Sequence, residues 1–237
     1  MSAKRGQANV VGVALLLGVG VVAIGLLTAS VGGLVDAQIA TADAAAAADG
    51  FSSLRDGVVA AANDSYPIRV TDGDLSRVNR TVRIVSETRP TETYDADGYV
   101  ADLGGQRVAF VGGAVVRGTG DAASLVTPVP VSVAGDAAFL ALPVLTANAT
   151  DGGGLGSGAA LRTRTTRTVT DRSADGYAVA VETATPEAWE RAFERRGFET
   201  TRADFDGDGT ESVVAAVPDE RTLTVARYDV SVVVDRG

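Results

Sequence analysis

KRGQANVVGVALLLGVGVVAIGLLTASVGGLVD, from Lys4 to Asp36, decides how the rest of the chain is read. No residue from Gly6 to Val35 is charged, and Val10–Leu27 is almost entirely Val, Leu, Ile, Ala and Gly. Such a run reads as a membrane helix. At 1.5 Å per residue it spans roughly 45 Å, more than a hydrocarbon core of about 30 Å needs. Lys4 and Arg5 precede the run and Asp36 follows it, so the positive-inside bias puts the N-terminus in the cytoplasm and the remainder outside. The apolar run is longer than the 7–15 residues of a secretory signal, which favours an anchor that is kept.

Working outward, Lys4-Arg5-Gly6-Gln7 abuts the apolar run directly. This segment resembles the class III signal peptide of archaeal flagellins and type IV pilin-like proteins, in which a short basic leader is removed. The resemblance covers about the first 35 to 50 residues. It implies cleavage between Gly6 and Gln7 by a prepilin-type peptidase at the cytoplasmic face, with the helix retained as filament core. Val11 stands where bacterial pilins carry a glutamate, so only the archaeal pattern applies. Ala14 and Gly18, then Gly25, Ala29 and Gly33, recur in steps of four, the spacing that lets helices approach closely. Gly and Ala are also common in membrane helices generally.

Beyond Asp36 comes an alanine-rich stretch, Ala44 to Ala48, with Phe51, Leu54 and Val58 on one helical face. The pattern predicts one long helix from about residue 8 to 62, with Gly50 and Gly57 as the places for a bend. From Tyr66 onward short β-prone runs alternate with Gly, Asp and Pro: Arg77–Val85, Gln106–Val116, Leu125–Val133, Phe139–Leu145, Leu161–Thr170, Tyr177–Thr183, Ser212–Val217 and Thr222–Asp235. The expected fold is α+β: a cleaved leader 1–6, a transmembrane or filament-core helix 7–35, an amphipathic extension 36–62, and a β-rich extracytoplasmic domain 66–237. That domain should be a sandwich or a curled antiparallel sheet with one short helix. The helix starts after Thr185 as cap and Pro186, ends at Gly197, and carries Trp189, Ala192 and Phe193 as a core stripe.

Composition narrows the chemistry. The chain has no Cys and no His, which removes disulfides, thiol nucleophiles, imidazole bases and the usual structural zinc sites. The only lysine, Lys4, lies on the cytoplasmic side, so no Ser–Lys dyad can form outside. No catalytic residues are assigned, although a carboxylate pair of the glycosidase kind needs only Asp and Glu. A net charge of −9 argues against a nucleic-acid partner. Asp outnumbers Glu by more than two to one, and every basic residue but Lys4 is Arg. This profile resembles the proteins of salt-loving archaea (halophiles), and a GC-rich coding sequence alone also gives the Arg bias.

Three local motifs remain. Asp204-Phe-Asp206-Gly-Asp208-Gly209-Thr210-Glu211 matches positions 1, 3, 5 and 7 of a calcium loop, with Asp204, Asp206, Asp208 and Thr210 as ligands for Ca2+. Position 12 is Ala215 and no helix pair flanks it, so the choice lies between a partial calcium loop and an acidic hairpin turn. Asn63, Asn79 and Asn148 each begin an Asn-X-Ser/Thr sequon, which makes them glycosylation candidates on the outward side. The glycine-rich 151–158 stretch reads as a flexible loop, and Arg162-Thr-Arg164-Thr-Thr-Arg167-Thr168 as a solvated strand or a subunit edge. The function expected is a type IV pilin-like structural subunit, its partners being the membrane, itself or related subunits, and the peptidase. The alternative is a single-pass anchored binding module, with calcium as its ion, that does not polymerise.

Overall fold

The computed structural model describes residues 3–70, 73–86, 89–147, 153–154, 159–172, 176–218 and 221–236. The chain separates into two compact units, Met1–Ala40 and Thr41–Gly237.

Helix α1 runs without interruption over Ala3–Val59. It starts earlier than the expected residue 8, because Lys4 and Arg5 are themselves good helix formers and nothing before them breaks the turn. It also stops short of residue 62. Ala61 takes a left-handed conformation (φ 53°), the Ala61 amide donates to the Val58 carbonyl at 2.9 Å, and Ala62 donates to Gly57 at 2.9 Å. This is a Schellman termination built on Ala rather than Gly. Among the described residues no helix is long and apolar enough to cross a membrane. The side chains of 3–16, 20 and 23–34, most of the expected transmembrane segment 7–35, lie outside that description.

The helix passes through Gly50 and Gly57, and neither acts as a hinge that ends it. Both are places of close approach. A Cβ on Gly50 would lie 2.6 Å from the Pro67 carbonyl oxygen, and one on Gly57 would overlap the Tyr66 hydroxyl. Gly is therefore required by what packs on the helix.

The Thr41–Gly237 unit is β-rich. Its strands are β1 (Ser65–Ile68), β2 (Asp74–Val78), β3 (Thr81–Ser86), β4 (Arg89–Asp95), β5 (Gly98–Leu103), β6 (Gln106–Val111), β7 (Ala114–Arg117), β8 (Ser124–Leu125), β9 (Val131–Ala134), β10 (Ala137–Ala147), β11 (Gly153–Gly154), β12 (Ala159–Arg172), β13 (Tyr177–Glu182), β14 (Thr200–Ala203), β15 (Ser212–Ala216) and β16 (Thr222–Arg236). They form three sheets, in the orders β1-β12-β16-β10-β9, β11-β2-β5-β6-β7-β8 and β14-β15-β13-β3-β4. Some expected single strands are two strands. Arg77–Val85 breaks at Asn79-Arg80, where the chain leaves β2 in one sheet for β3 in another. Gln106–Val116 is a hairpin that turns at Gly112-Gly113, where φ values of 56° and 80° make the two-residue loop whose twist suits it. Pro128 and Pro130 divide Leu125–Val133, since proline cannot donate to a ladder. Strands β1, β4, β5 and β14 escaped the reading, the last because Thr200–Ala203 is polar and shows no buried alternation.

Of the two forms expected, a sandwich or a curled antiparallel sheet, the observed sheets depart from the second at one pair. Strands β10 and β16 run parallel, Ala137 opposite Thr222 through Ala147 opposite Val232, while the other pairs described are antiparallel. Within the glycine-rich stretch, Gly153–Gly154 pairs with Leu75 and Asp74 rather than lying in loop, and the remainder is outside the described residues.

Two hydrophobic cores share the long strands. One gathers Trp189 and Phe193 with Leu140, Leu142, Val179, Val181, Leu223 and Val225. The other gathers Phe51, Leu54 and Val58 of α1 with Ile68, Phe110, Leu161, Val230 and Val232. Alternation explains the sharing. On β16, Leu223 and Val225 point to the first core, while Tyr228, Val230 and Val232 point from the opposite face to the second. One strand thus buries each half on a different side.

Helix α2, Pro186–Glu194, buries Ala188, Trp189, Ala192 and Phe193 as its stripe predicts. Thr185 is at the N-cap but makes no side-chain cap bond; the Thr183 hydroxyl accepts from the Thr185 amide at 3.1 Å instead. Gly197, at φ 82°, closes the helix, and the Phe198 amide returns to the Phe193 carbonyl at 3.2 Å. The two rings meet edge to face with centroids 5.9 Å apart, the apolar contact usual for that termination.

Candidate functional site

The acidic loop is the connection of the β14–β15 hairpin, whose strands pair from Thr200–Ala215 to Ala203–Ser212. Gly207 and Gly209 have φ values of 74° and 85°, and a Cβ on either would meet nothing within 4 Å. Here glycine serves conformation alone. With those turns in place, one carboxylate oxygen of each of Asp204, Asp206 and Asp208 lies within 4.8 Å of the others. Of the four residues expected as ligands, three are brought together. Thr210 enters through its amide, which donates to Asp208 Oδ1 at 2.7 Å in an Asx-type turn.

The carboxylates already have partners. Asp204 accepts from the Gly207 amide at 2.8 Å and from Gly209 at 3.1 Å, and those bonds, Gly207 first, hold its carboxyl below the usual range. Asp206 accepts from Arg83 Nη2 at 2.6 Å. Arg83 is buried, and its other terminal nitrogen donates to Ser212 Oγ at 3.1 Å and reaches Glu182 Oε2 at 3.3 Å. Its guanidinium also lies 5.3 Å from the Phe205 ring centre. A buried arginine must be matched by charge and hydrogen bonds. Glu182 and Asp206 do this from β13 and from the loop, so the loop fastens itself to β3. A calcium ion takes 6–8 oxygens. Here three carboxylates lie within reach of one point, that of Asp206 shared with Arg83. Neither Arg83 nor Glu182 has a local sequence signal, since they meet the loop across the sheet.

A second polar site was missed by sequence reading. Glu92 and Tyr94 of β4, Thr168, Thr170 and Arg172 of β12, and Val225, Arg227 and Asp229 of β16 line a groove of about 380 Å3. Its charges pair internally: Arg172 with Glu92, and Arg227 with Asp229 at 2.5 Å. Tyr94 donates to Glu92, and burial followed by that carboxylate raises its phenol above the ordinary value. The lining comes from strands far apart in the chain, so no spacing rule could have found it.

Of the sequon residues, Asn63 and Asn79 are exposed and Asn148 is outside the described residues. Asn63 uses Oδ1 to accept the Thr165 amide at 2.7 Å. The Thr81 hydroxyl of the second sequon donates to Glu182 at 2.5 Å. Gly6 and Gln7 are in the helical backbone of α1, and their side chains are outside the description.

No match is found among curated proteins or among solved structures. Over residues 5–233 the sequence matches the family of unknown function DUF7289, which includes both α1 and the β-rich domain, and the chain belongs to that family.

Proposed function

We propose that this protein is a type IV pilin-like structural subunit, anchored in the membrane by its N-terminal helix before it assembles into a surface filament or a related adhesion or secretion apparatus. The observation that carries the reading is the change of character along α1. In the 41–59 part Ala44, Ala47, Phe51, Leu54 and Val58 are buried in the β-rich domain. Upstream, Leu17, Val19, Val21 and Val22 are 60–69% exposed. At about 100° per residue these four spread over roughly 200° of the helix circumference, wider than a single stripe, and the charge-free run from Gly6 to Val35 fills the remainder with uncharged residues. A helix that is apolar all round needs lipid or neighbouring helices to cover it.

The leader Lys4-Arg5-Gly6-Gln7 directs the N-terminus to the cytoplasm and cleavage to the Gly6–Gln7 bond. The β-rich domain is then extracellular, where exposed Asn63 and Asn79 are available to a glycan. Partners are further copies or related subunits, with no enzymatic activity and no nucleic acid.

Convergence of Asp204, Asp206 and Asp208 within 4.8 Å favours a second reading, an anchored module that uses calcium to bind and does not polymerise. The N-terminal peptide mass of protein taken from its native membrane or surface fraction separates them. A start at Gln7 with the helix retained supports the subunit. An intact Lys4-Arg5 end supports the anchored module, and a start beyond residue 36 overturns both.

A further inference from the structure

Strand β12 leaves an open stretch of backbone. It pairs with β16 along one edge from Ala159 to Arg172, but with β1 along the other only from Ala159 to Arg162. Past that point the Thr163 amide donates to the Asp64 carbonyl at 2.8 Å and the Thr165 amide to Asn63 Oδ1 at 2.7 Å. The Asn63 side chain thus stands in for the next residue of a neighbouring strand. Outward-pointing groups alternate along an antiparallel edge. The next ones belong to Arg167, Val169 and Asp171, and among the described residues no strand pairs with them there. The cover on the face ends at the same place. Leu161, Thr163 and Thr165 are buried, whereas every residue from Thr166 to Asp171 is exposed and Val169 is 50% accessible.

We propose that this edge pairs with the same edge of a second copy, antiparallel, about a twofold axis through Val169. The sequence is self-complementary in that register. Val169 stands opposite Val169 of the partner subunit, Arg167 opposite Asp171 of the partner subunit, and the reverse pair follows by symmetry. Opposite charges directly across strands favour pairing and like charges oppose it. All three residues have outward backbone groups, so each exchanges N–H and C=O with its counterpart. Moving the axis by one residue, so that Arg167 faces Val169, leaves both charges unmatched. The two charges are also held on the same face. The Thr224 hydroxyl donates to Asp171 Oδ1 at 2.7 Å, and the Arg167 guanidinium lies 5.8 Å from the Tyr228 ring centre. An edge carrying arginine alone would repel its own copy, and guarding an edge is a common use of charge. Asp171 turns the same edge into a matched one. The surface lies wholly within the β-rich unit and does not depend on how the N-terminal helix is used.

The absence of cysteine makes the test direct. In the full chain in its native membrane, Val169→Cys supplies a single thiol. Hydrogen-bonded antiparallel pairs have Cα atoms about 5.5 Å apart, within the 4.4–6.8 Å that a disulfide spans. Mild oxidation should convert Val169→Cys to a linked dimer, while Val126→Cys, similarly exposed at 48%, stays monomeric. Adding Arg167→Asp should abolish the dimer, and the exchange Arg167→Asp with Asp171→Arg should restore it. Linking no faster than at position 126, persistence of the dimer with Arg167→Asp alone, or failure of the exchange to restore it would overturn the proposal.

Discussion

The two halves of α1 are the same secondary structure with opposite relations to their surroundings. From Thr41 to Val59 the helix has one apolar face, and that face is buried with Phe51 and Leu54 at 0% exposure. Before Ala40, Val35 and Ile39 are 49% and 42% exposed, and Leu17, Val19, Val21 and Val22 are more so. Helix propensity therefore fixed the element but not its partner. What decides the partner is how the apolar residues are distributed around the axis. A stripe finds a sheet of its own chain, and an all-round apolar surface asks for lipid or other helices.

The sharpest way to break this comparison is to remove the anchor of the stripe. Phe51→Ala should destabilise the β-rich unit by about 3–5 kcal/mol, the usual cost of emptying a buried aromatic site. Urea unfolding of the full chain, followed through the fluorescence of buried Trp189, measures it. A loss below about 1 kcal/mol would mean that the helix is a passenger on the domain.

Next in size is the other half. Val21→Asp should cost about 2.5–3.5 kcal/mol of insertion if the segment sits in a membrane. Fractionation should show the protein lost from membranes, with the urea curve of the β-rich unit unchanged. A shifted curve would erase the distinction between the halves.

Gly50→Ala sharpens the comparison within the buried half, because a better helix former is placed where the added methyl meets the Pro67 carbonyl at 2.6 Å. Overpacking of this kind costs about 1–3 kcal/mol, and propensity recovers about 1. The net loss should appear as a lower unfolding midpoint, whereas a gain would show that the helix is free to shift on the sheet.

Acid is the next test. Glu190 is held below its ordinary value by Arg202, which bonds it at 2.6 and 2.7 Å, and Asp204 by the Gly207 amide. Both carboxyls bind fewer protons folded than unfolded near their ordinary values. Their contribution is thus complete above roughly pH 5 and is lost as pH falls through the folded values. The thermal midpoint should be level from neutral pH down to about 5 and fall below about 4. Arg202→Ala should flatten part of that fall. Since both groups belong to the β-rich unit, Val21→Asp and the parent should share the same acid limb. Smallest of all is the effect of calcium. With Asp206 on Arg83, millimolar Ca2+ should leave the midpoint unchanged, and a rise that grows with concentration would assign the loop to the binding module.

Legibility followed the range of the interactions. The core stripe of α2 and the Gly197 stop could be read because each depends on residues within a turn of one another. The three carboxylates of the 204–208 loop were legible for the same reason, but the arginine that fastens Asp206 was not, being on β3. The crossing between sheets at Asn79-Arg80 and the hairpin turn at Gly112-Gly113 both read as continuous strand in the sequence, since β-prone residues flank both closely. Thr185 shows the converse: a good cap residue at the right place whose hydroxyl makes no cap bond, while its own amide donates to the Thr183 hydroxyl.

By itself the sequence determined a long helix leading into a β-rich domain, the charge-free segment that calls for an apolar environment, and a chemistry without thiols or imidazoles. Those follow from local periodicity and composition, which need no knowledge of what lies across the fold. Only the tertiary structure decided the parallel join of β10 with β16, the use of Gly50 and Gly57 for close contact, the Arg83 bond to the acidic loop, and the open edge at Val169. Each of these depends on which distant segment arrives alongside. Strand pairing is set by the burial of whole faces, and no run of neighbouring residues encodes it.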